Sequence, residues 1–282
     1  MSKSTAIKKL IQKVELEDID IPSMPHVAAK VLEVIEDAHF SLKHLGNVMH
    51  QDQSLTANFL KIANTSFYNR GKPITTIHGA VMAIGIQNLA TLIAFVALSN
   101  YAKSKHINKE LLQHPNAVST LTALLAAATE GIKREEALIA GLLHDVGLLL
   151  LFDNAPAIYA EIESTTKEGN HSFVQVEREM LGFDHCQIGS ILAEKWRFPA
   201  IYAYTIQHHH DEEIATGDLN YTQRLCYLVR IADHIAFEAS VGIGESGEKN
   251  LAALLAVLGI ENNVYENAVE KAIVFRETGL WR

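Results

Sequence analysis

The residues best suited to chemistry are histidines and aspartates that recur through the second half of the chain. Neutral imidazole and ionised carboxylate are suitable ligands for iron, zinc, manganese or nickel. A hydrolase with two metal ions needs several of each, with one carboxylate able to bridge the ions. In chain order the candidates are His114, His144 with Asp145, His185, the triplet His208, His209 and His210, and Asp233. Their order, more than any single residue, indicates a metal site.

The adjacent pair His144 and Asp145 lies within GLLHDVGLL, a strongly apolar stretch. The pattern predicts one buried helix over residues 134–151. Neighbouring residues on a helix point about 100° apart, so both side chains would reach one ion only from a helix that faces a central cavity. A buried histidine and aspartate need partners, because burying them unpaired is costly. A metal ion would supply a partner, and so would a hydrogen-bonded His–Asp pair without metal.

Other candidates also have ordinary structural explanations. The triplet at 208–210 is consistent with a solvated cluster at a helix C-terminus, where positive charge suits the helix dipole. Asp233 is predicted to lie in an apolar helix, with Arg230 as a partner one turn away. Asp184 is predicted to cap a helix start, which would make the following His185 incidental.

The elements that must position these residues are predicted to be helices almost throughout. No stretch shows the sustained period-two alternation of strands. Ser23 is predicted to cap a first helix that runs to about residue 38. Pro115 is predicted to kink or restart the helix that carries His114, which by itself is typical of a surface histidine. The polar stretch 103–110 is the best subdomain boundary in a compact α protein.

The composition excludes several classes of protein. The chain has 282 residues and is 48% apolar, so it can bury a sizeable core, unlike a disordered chain. A net charge of −9 with no long basic cluster argues against nucleic acid as a partner. Cys186 and Cys226 are the only cysteines, which fits a reducing compartment. The apolar run at 138–152 is too short to span a bilayer, and the N-terminus has no secretory signal, so the expected location is the cytoplasm.

Five segments carry a resemblance to a known family. Three lie in the first part of the chain: residues 21–37 (IPSMPHVAAKVLEVIED), 49–68 (MHQDQSLTANFLKIANTSFY) and 74–93 (ITTIHGAVMAIGIQNLATLI). Two lie in the second part: residues 135–151 (EEALIAGLLHDVGLLLL) and 176–210 (VEREMLGFDHCQIGSILAEKWRFPAIYAYTIQHHH). Together they resemble the HDOD family, the HD-related output domain of bacterial signalling proteins, within the HD superfamily of metal-dependent phosphohydrolases.

The resemblance implies an all-α fold, a compact multi-helix HD-like bundle with an N-terminal helical subdomain. Residues 1–105 would form that subdomain and residues 106–282 the HD-like part, together as one structural unit. The ligands that match the superfamily pattern are His114, His144, Asp145, His185, His209, His210 and Asp233, with His208 extra and the register within the triplet open by one residue. Asp145 would be the bridging and catalytic carboxylate. One or two divalent ions (iron, manganese, zinc or nickel) would bind, although many family members lack a full metal set.

Two departures from the superfamily shape the predicted function. Leu148 follows Gly147 where the cyclic di-GMP phosphodiesterase branch has a lysine, and no Gly-Tyr-Pro segment follows the paired histidines. The prediction is therefore a bacterial signal-transduction output or regulatory module that binds a signalling protein around a degenerate or metal-binding HD site. The alternative is a metal-dependent phosphohydrolase for a phosphate ester or nucleotide other than cyclic di-GMP, with Lys195, Arg197 and Arg230 as nominal cations for the phosphate. Neither a membrane nor nucleic acid is an expected partner.

Overall fold

The computed structural model describes residues 16–37, 39–65, 68–69, 71–104, 109–168, 172–215, 218–241, 248 and 250–278. Every regular element within these ranges is helical, which confirms the predicted all-α class. The chain divides into two compact units, Pro22–His106 and the pair of segments Met1–Ile21 and Ile107–Arg282. The predicted boundary between residues 105 and 106, and N-terminal residues 1–15, lie outside the described residues. Within those residues no single helix is long and apolar enough to cross a membrane, although the pair Ile77–Ile84 and Asn88–Asn100, bent by 115°, meets that test jointly.

The described part of the Pro22–His106 unit contains five helices: α1 (His26–Glu36), α2 (Leu42–Met49), α3 (Gln53–Ala63), α4 (Ile77–Ile84) and α5 (Ile86–Ser104). Side chains cap three of them at the N-terminus: Ser41 caps α2, Asp52 caps α3 and Thr76 caps α4. The prediction that Ser23 caps the first helix was wrong, because Pro25, with φ fixed at −54°, occupies the capping position without a side-chain hydrogen bond. Helix α5 packs against α1, α3 and α4.

The second unit starts with a short 3-10 helix, Leu16–Asp18, and holds the candidate ligands. Its α-helices are α6 (Lys109–Ala126), α7 (Arg134–Leu143), α8 (Val146–Asn154), α9 (Pro156–Glu168), α10 (Phe173–Leu181), α11 (His185–Lys195), α12 (Ala200–His208), α13 (Tyr221–Glu238), α14 (Leu251–Leu258) and α15 (Asn262–Thr278). Helix α7 packs against α6, α12 and α13, while α11 packs against α8 and α12. Helices from distant parts of the chain therefore enclose one core.

Glycines permit the closest approaches between these helices. A Cβ atom on Gly147 would overlap the carbonyl oxygen of His185 and lie 2.8 Å from the backbone nitrogen of Gly189, so α8 and α11 cross backbone to backbone. A Cβ atom on Gly141 would lie 2.7 Å from the Cα atom of Ser119, where α7 meets α6. Only glycine fits at either crossing without displacing a helix.

The structure corrects two predictions about helix breaks. The helix does not restart at Pro115, which lies inside α6 and removes one N–H donor while the helix continues to Ala126; a kink at this position stays a prediction. The single helix predicted over residues 134–151 is two helices, α7 and α8, with His144 and Asp145 between them. A turn inside an apolar run leaves no local signal in the sequence, so the apolar pattern predicted one continuous helix in place of α7 and α8.

Candidate metal centre

A turn between α7 and α8 presents His144 and Asp145 to the interior of their unit. His144 keeps helical backbone angles, whereas Asp145 has φ −97° and ψ 20°. The carbonyl oxygen of Gly141 lies 2.8 Å from Nδ1 of His144 and orients its ring. Both side chains therefore emerge from one turn, not from a continuous helix face as predicted.

The carboxylate of Asp145 lies between two pairs of imidazoles. Its Oδ2 atom is 3.4 Å from Nε2 of His114 and 3.2 Å from Nε2 of His144. Its Oδ1 atom is 3.4 Å from Nε2 of His185 and 3.2 Å from Nε2 of His209. The four rings come from α6, the α7–α8 turn, the start of α11 and the end of α12. Helix packing thus gathers them around a single carboxylate.

Asp233, on α13, places a second carboxylate beside the two imidazoles that face Oδ2 of Asp145. Its Oδ1 atom lies 2.9 Å from Nε2 of His114 and 3.8 Å from Nε2 of His144. The prediction that Arg230 would pair with Asp233 was wrong, because the Arg230 guanidinium donates hydrogen bonds of 3.0 and 3.1 Å to the carboxylate of Glu248. Asp233 therefore faces the imidazoles.

The outer nitrogen of each ring has a hydrogen-bond acceptor. Nδ1 of His114 lies 3.2 Å from a backbone carbonyl oxygen, and Nδ1 of His209 lies 2.9 Å from another. Nδ1 of His185 lies 2.7 Å from a carboxylate oxygen of Glu177. Because these oxygens accept, Nδ1 carries a proton, and when the ring is neutral its Nε2 atom directs a lone pair inward. Outer partners of this kind orient metal-binding histidines.

Among the inward-facing atoms, Nε2 of His209 and Oδ1 of Asp145 form a hydrogen bond of 3.2 Å, whereas several others converge without one. Within the described part of the chain, four of them are buried without a hydrogen bond: Nε2 of His114, His144 and His185, and Oδ1 of Asp233. Such orphaned buried atoms are uncommon and call for an explanation such as a bound ion. Candidate ligand atoms lie within 4.8 Å of one another in three groups: His114, His144 and Asp233; His144, Asp145 and His209; and His185, Cys186, His209 and His210. These nitrogen and oxygen donors fit divalent transition metals.

The electrostatics keep two of these groups in the forms that bind metal. Burial alone would raise the pKa of the Asp145 carboxyl, but the charge of His144 and the hydrogen bonds of His185 and His209 hold that pKa well below its usual range. Burial, with the nearby His209 and His185, holds the pKa of His210 well below its ordinary value. Asp145 is therefore ionised and His210 neutral near pH 7, as ligation requires.

Most of the chain matches one protein family. A family model described as the HDOD domain matches residues 21–212, more than half of the chain. The chain belongs to the HDOD family. The match includes every candidate ligand except Asp233, which lies beyond it on α13 of this HDOD protein.

Several proteins are similar to this HDOD domain. An HDOD domain protein of unknown function from Geobacter sulfurreducens is 22% identical with a TM-score of 0.69, covering 97% of this chain and 94% of that one. A protein from Marinobacter aquaeolei VT8, provisionally described as a signal transduction protein, is 22% identical with a TM-score of 0.71. The alignment covers 97% of this chain and 63% of that one. An uncharacterized protein from Treponema pallidum (strain Nichols) is 26% identical over 197 residues, which cover 68% of this chain. The aligned part spans 38% of that relative's length.

The histidine triplet of this HDOD domain divides between the cluster and the surface. His209 is buried, and the His210 ring centroid lies 4.0 Å from that of His209 and 5.2 Å from that of His185. The side chain of His208 is 32% exposed, with Nδ1 2.7 Å from a carboxylate oxygen of Asp211. The register that the sequence left open therefore places His209 and His210 in the cluster.

Replacing neighbouring histidines one at a time should distinguish these positions. His209→Ala removes a ring whose Nε2 atom lies 3.2 Å from Oδ1 of Asp145, and it is expected to lose the metal held on that side of Asp145. His208→Ala removes a partly exposed ring outside the cluster and is expected to keep it all. Elemental analysis of both untagged proteins measures the difference, and equal losses would contradict the assignment.

Two residues beside the cluster were missed by sequence reasoning. The Sγ atom of Cys186 lies 3.9 Å from Nδ1 of His209, and Glu177 contacts His185. The available signal for Cys186 was its position directly after a candidate ligand. For Glu177 it was a charged residue in phase with Phe173, one turn earlier on the buried face of α10.

Proposed function

We propose that this HDOD domain is a cytoplasmic signalling module whose HD site holds two divalent metal ions. The observation that carries the proposal is the Asp145 carboxylate, whose two oxygens face separate pairs of imidazoles. A carboxylate so placed is the bridging ligand that a two-ion site needs. One ion would be held by His114, His144, Asp145 and Asp233, and the other by Asp145, His185, His209 and His210. The ligand types suit iron, manganese, zinc or nickel.

The surroundings of the site favour regulation over turnover. Six of the seven candidate ligands are buried, which restricts the approach of a substrate. Two nominal phosphate-binding cations are engaged elsewhere: Lys195 donates to the carbonyl oxygen of Ile21 at 2.6 Å, and Arg230 pairs with Glu248. A metal-loaded domain of this kind would act by binding a signalling protein, with the ions fixing the conformation that the partner recognises.

Elemental analysis tests the metal site directly. Untagged protein purified without chelator is expected to contain near-stoichiometric transition metal, and Asp145→Ala is expected to contain none, because both ions share that ligand. Once a partner has been identified, its affinities for the wild-type protein and for Asp145→Ala show whether partner binding depends on the metal. A wild-type protein that stays metal-free after reconstitution would contradict the proposal and leave an HDOD interaction module whose histidines are structural.

The bridging position of Asp145 also favours a second candidate function, a metal-dependent phosphohydrolase acting on a phosphate ester or nucleotide. When bound, two ions supply an activated water and stabilise charge on the phosphate. Leu148, in place of the lysine after Gly147, argues against cyclic di-GMP as the substrate. The test is turnover of an aryl phosphate and of cyclic nucleotides by fully loaded protein. Turnover that disappears in Asp145→Ala would support hydrolysis, and its absence on every substrate would favour the regulatory role.

A further inference from the structure

The carboxylate of Glu177 is buried, and the hydrogen bonds described for it go to one residue. Glu177 lies on α10 with an exposed fraction of 0%. Its Oε2 atom accepts a 3.0 Å hydrogen bond from the backbone N–H of His185 and lies 2.7 Å from Nδ1 of the same residue. Its Oε1 atom has no hydrogen-bond partner among the described residues. A buried carboxylate is energetically costly unless hydrogen bonds or charges compensate for the lost water, and for Glu177 the described hydrogen bonds come from His185.

His185 differs from its neighbours in the group that holds its outer nitrogen. Backbone carbonyl oxygens face that nitrogen in His114, His144 and His209. A carboxylate faces it in His185. Hydrogen bonds to an ionised acceptor are about twice as strong as those between neutral groups. A carboxylate in this position also raises the basicity of the ring as a metal ligand.

We propose that Glu177 is a positioning residue for the metal centre, which fixes the orientation and tautomer of His185 and strengthens its bond to the ion on the Oδ1 side of Asp145. The inference rests on the proposed function, since it requires an ion on that side. Glu177 acts through His185 and does not itself touch the ion. The two ions are therefore held unequally, and removing the charge of Glu177 weakens the binding of one of them.

A purely structural role for Glu177 makes a different prediction. Its Oε2 atom also satisfies the backbone N–H of His185 at the start of α11. That helix start has a cap of its own, because Asp184 and Gln187 form a reciprocal capping box. A structural role predicts lower stability with unchanged metal affinity. A positioning role predicts weaker binding of one ion even where stability is kept.

Glu177→Gln separates the two roles, because glutamine keeps the shape and an acceptor oxygen but removes the charge. Glu179→Gln makes the same change at an exposed position of α10 and is the matched control. Chelator-stripped proteins are titrated with Co²⁺, and binding is followed by visible absorption and calorimetry. Wild type and Glu179→Gln are expected to show two binding steps. In Glu177→Gln one step is expected to weaken by about 10- to 100-fold while the other is unchanged.

Thermal unfolding of the metal-free proteins completes the test. Two wild-type binding steps in Glu177→Gln would overturn the positioning role, whatever its thermal stability. If Glu177→Gln also lowers the Tm, Asp184→Ala serves as the comparison, because it removes the cap of α11 and leaves the His185 ring contact in place. Equal weakening of the same step in both variants would overturn the inference, and weakening in Glu177→Gln alone supports it. A wild-type protein that binds no Co²⁺ would contradict the proposed function and this inference with it.

Discussion

Gly147→Ala is expected to destabilise the unit that contains the metal centre and to lower its metal content. The new Cβ atom would overlap the carbonyl oxygen of His185 and lie 2.8 Å from the backbone nitrogen of Gly189. Both are backbone atoms, so the overlap is relieved only by a shift of α8 relative to α11. Overpacking of this kind typically costs about 1–3 kcal/mol. The shift would also lengthen the 3.4 Å contact between Asp145 and His185, which lie at this crossing.

Gly46→Ala is the matched control for this prediction. Gly46 lies within α2, where an added Cβ atom meets nothing within 4 Å. Alanine is more favourable than glycine inside a helix by about 0.5–1 kcal/mol, so this variant is expected to be slightly more stable than wild type. Thermal unfolding followed by circular dichroism, with elemental analysis, compares the three proteins. A Gly147→Ala protein as stable and as metal-rich as wild type would show that the crossing is not tight.

Much of the fold was predictable because helices leave local signals. The helices predicted almost throughout the chain are confirmed for the described residues, and so is the predicted capping role of Asp184 at the start of α11. The turn at His144 and Asp145 left no such signal, because the residues on both sides are apolar and equally compatible with a continuous helix. That turn lies where α8 approaches α11 through Gly147, a contact that depends on tertiary packing.

The candidate ligands were identified from their order and the family resemblance, and the structure places their side chains together. Metal binding itself stays a prediction. The contacts that orient the ligands could not be predicted, because they join distant parts of the chain. Nδ1 of His114 faces the carbonyl oxygen of Val241, 127 residues away. The sequence pattern predicts that Asp233 pairs with Arg230 one turn away, whereas Arg230 binds Glu248, 18 residues further along.

Removal of the metal is expected to destabilise one unit of the protein. The candidate ligands come from α6, the α7–α8 turn, the start of α11, the end of α12 and α13, so bound ions would cross-link these elements. A ligand that binds only the native state stabilises it by about 2.7 kcal/mol when its concentration is a hundredfold above its Kd. Hydrogen–deuterium exchange of loaded and chelator-treated protein measures where that stabilisation acts.

Chelation is expected to speed exchange in α6, α11 and α13 and to leave α1 to α5 unchanged, since every candidate ligand lies outside the Pro22–His106 unit. Asp145→Ala should exchange like the chelated wild type whether or not metal is added. That variant separates loss of the ions from any direct effect of the chelator. Equal changes in both units would contradict a local role for the ions, because cross-linking can slow only the openings that separate the cross-linked helices.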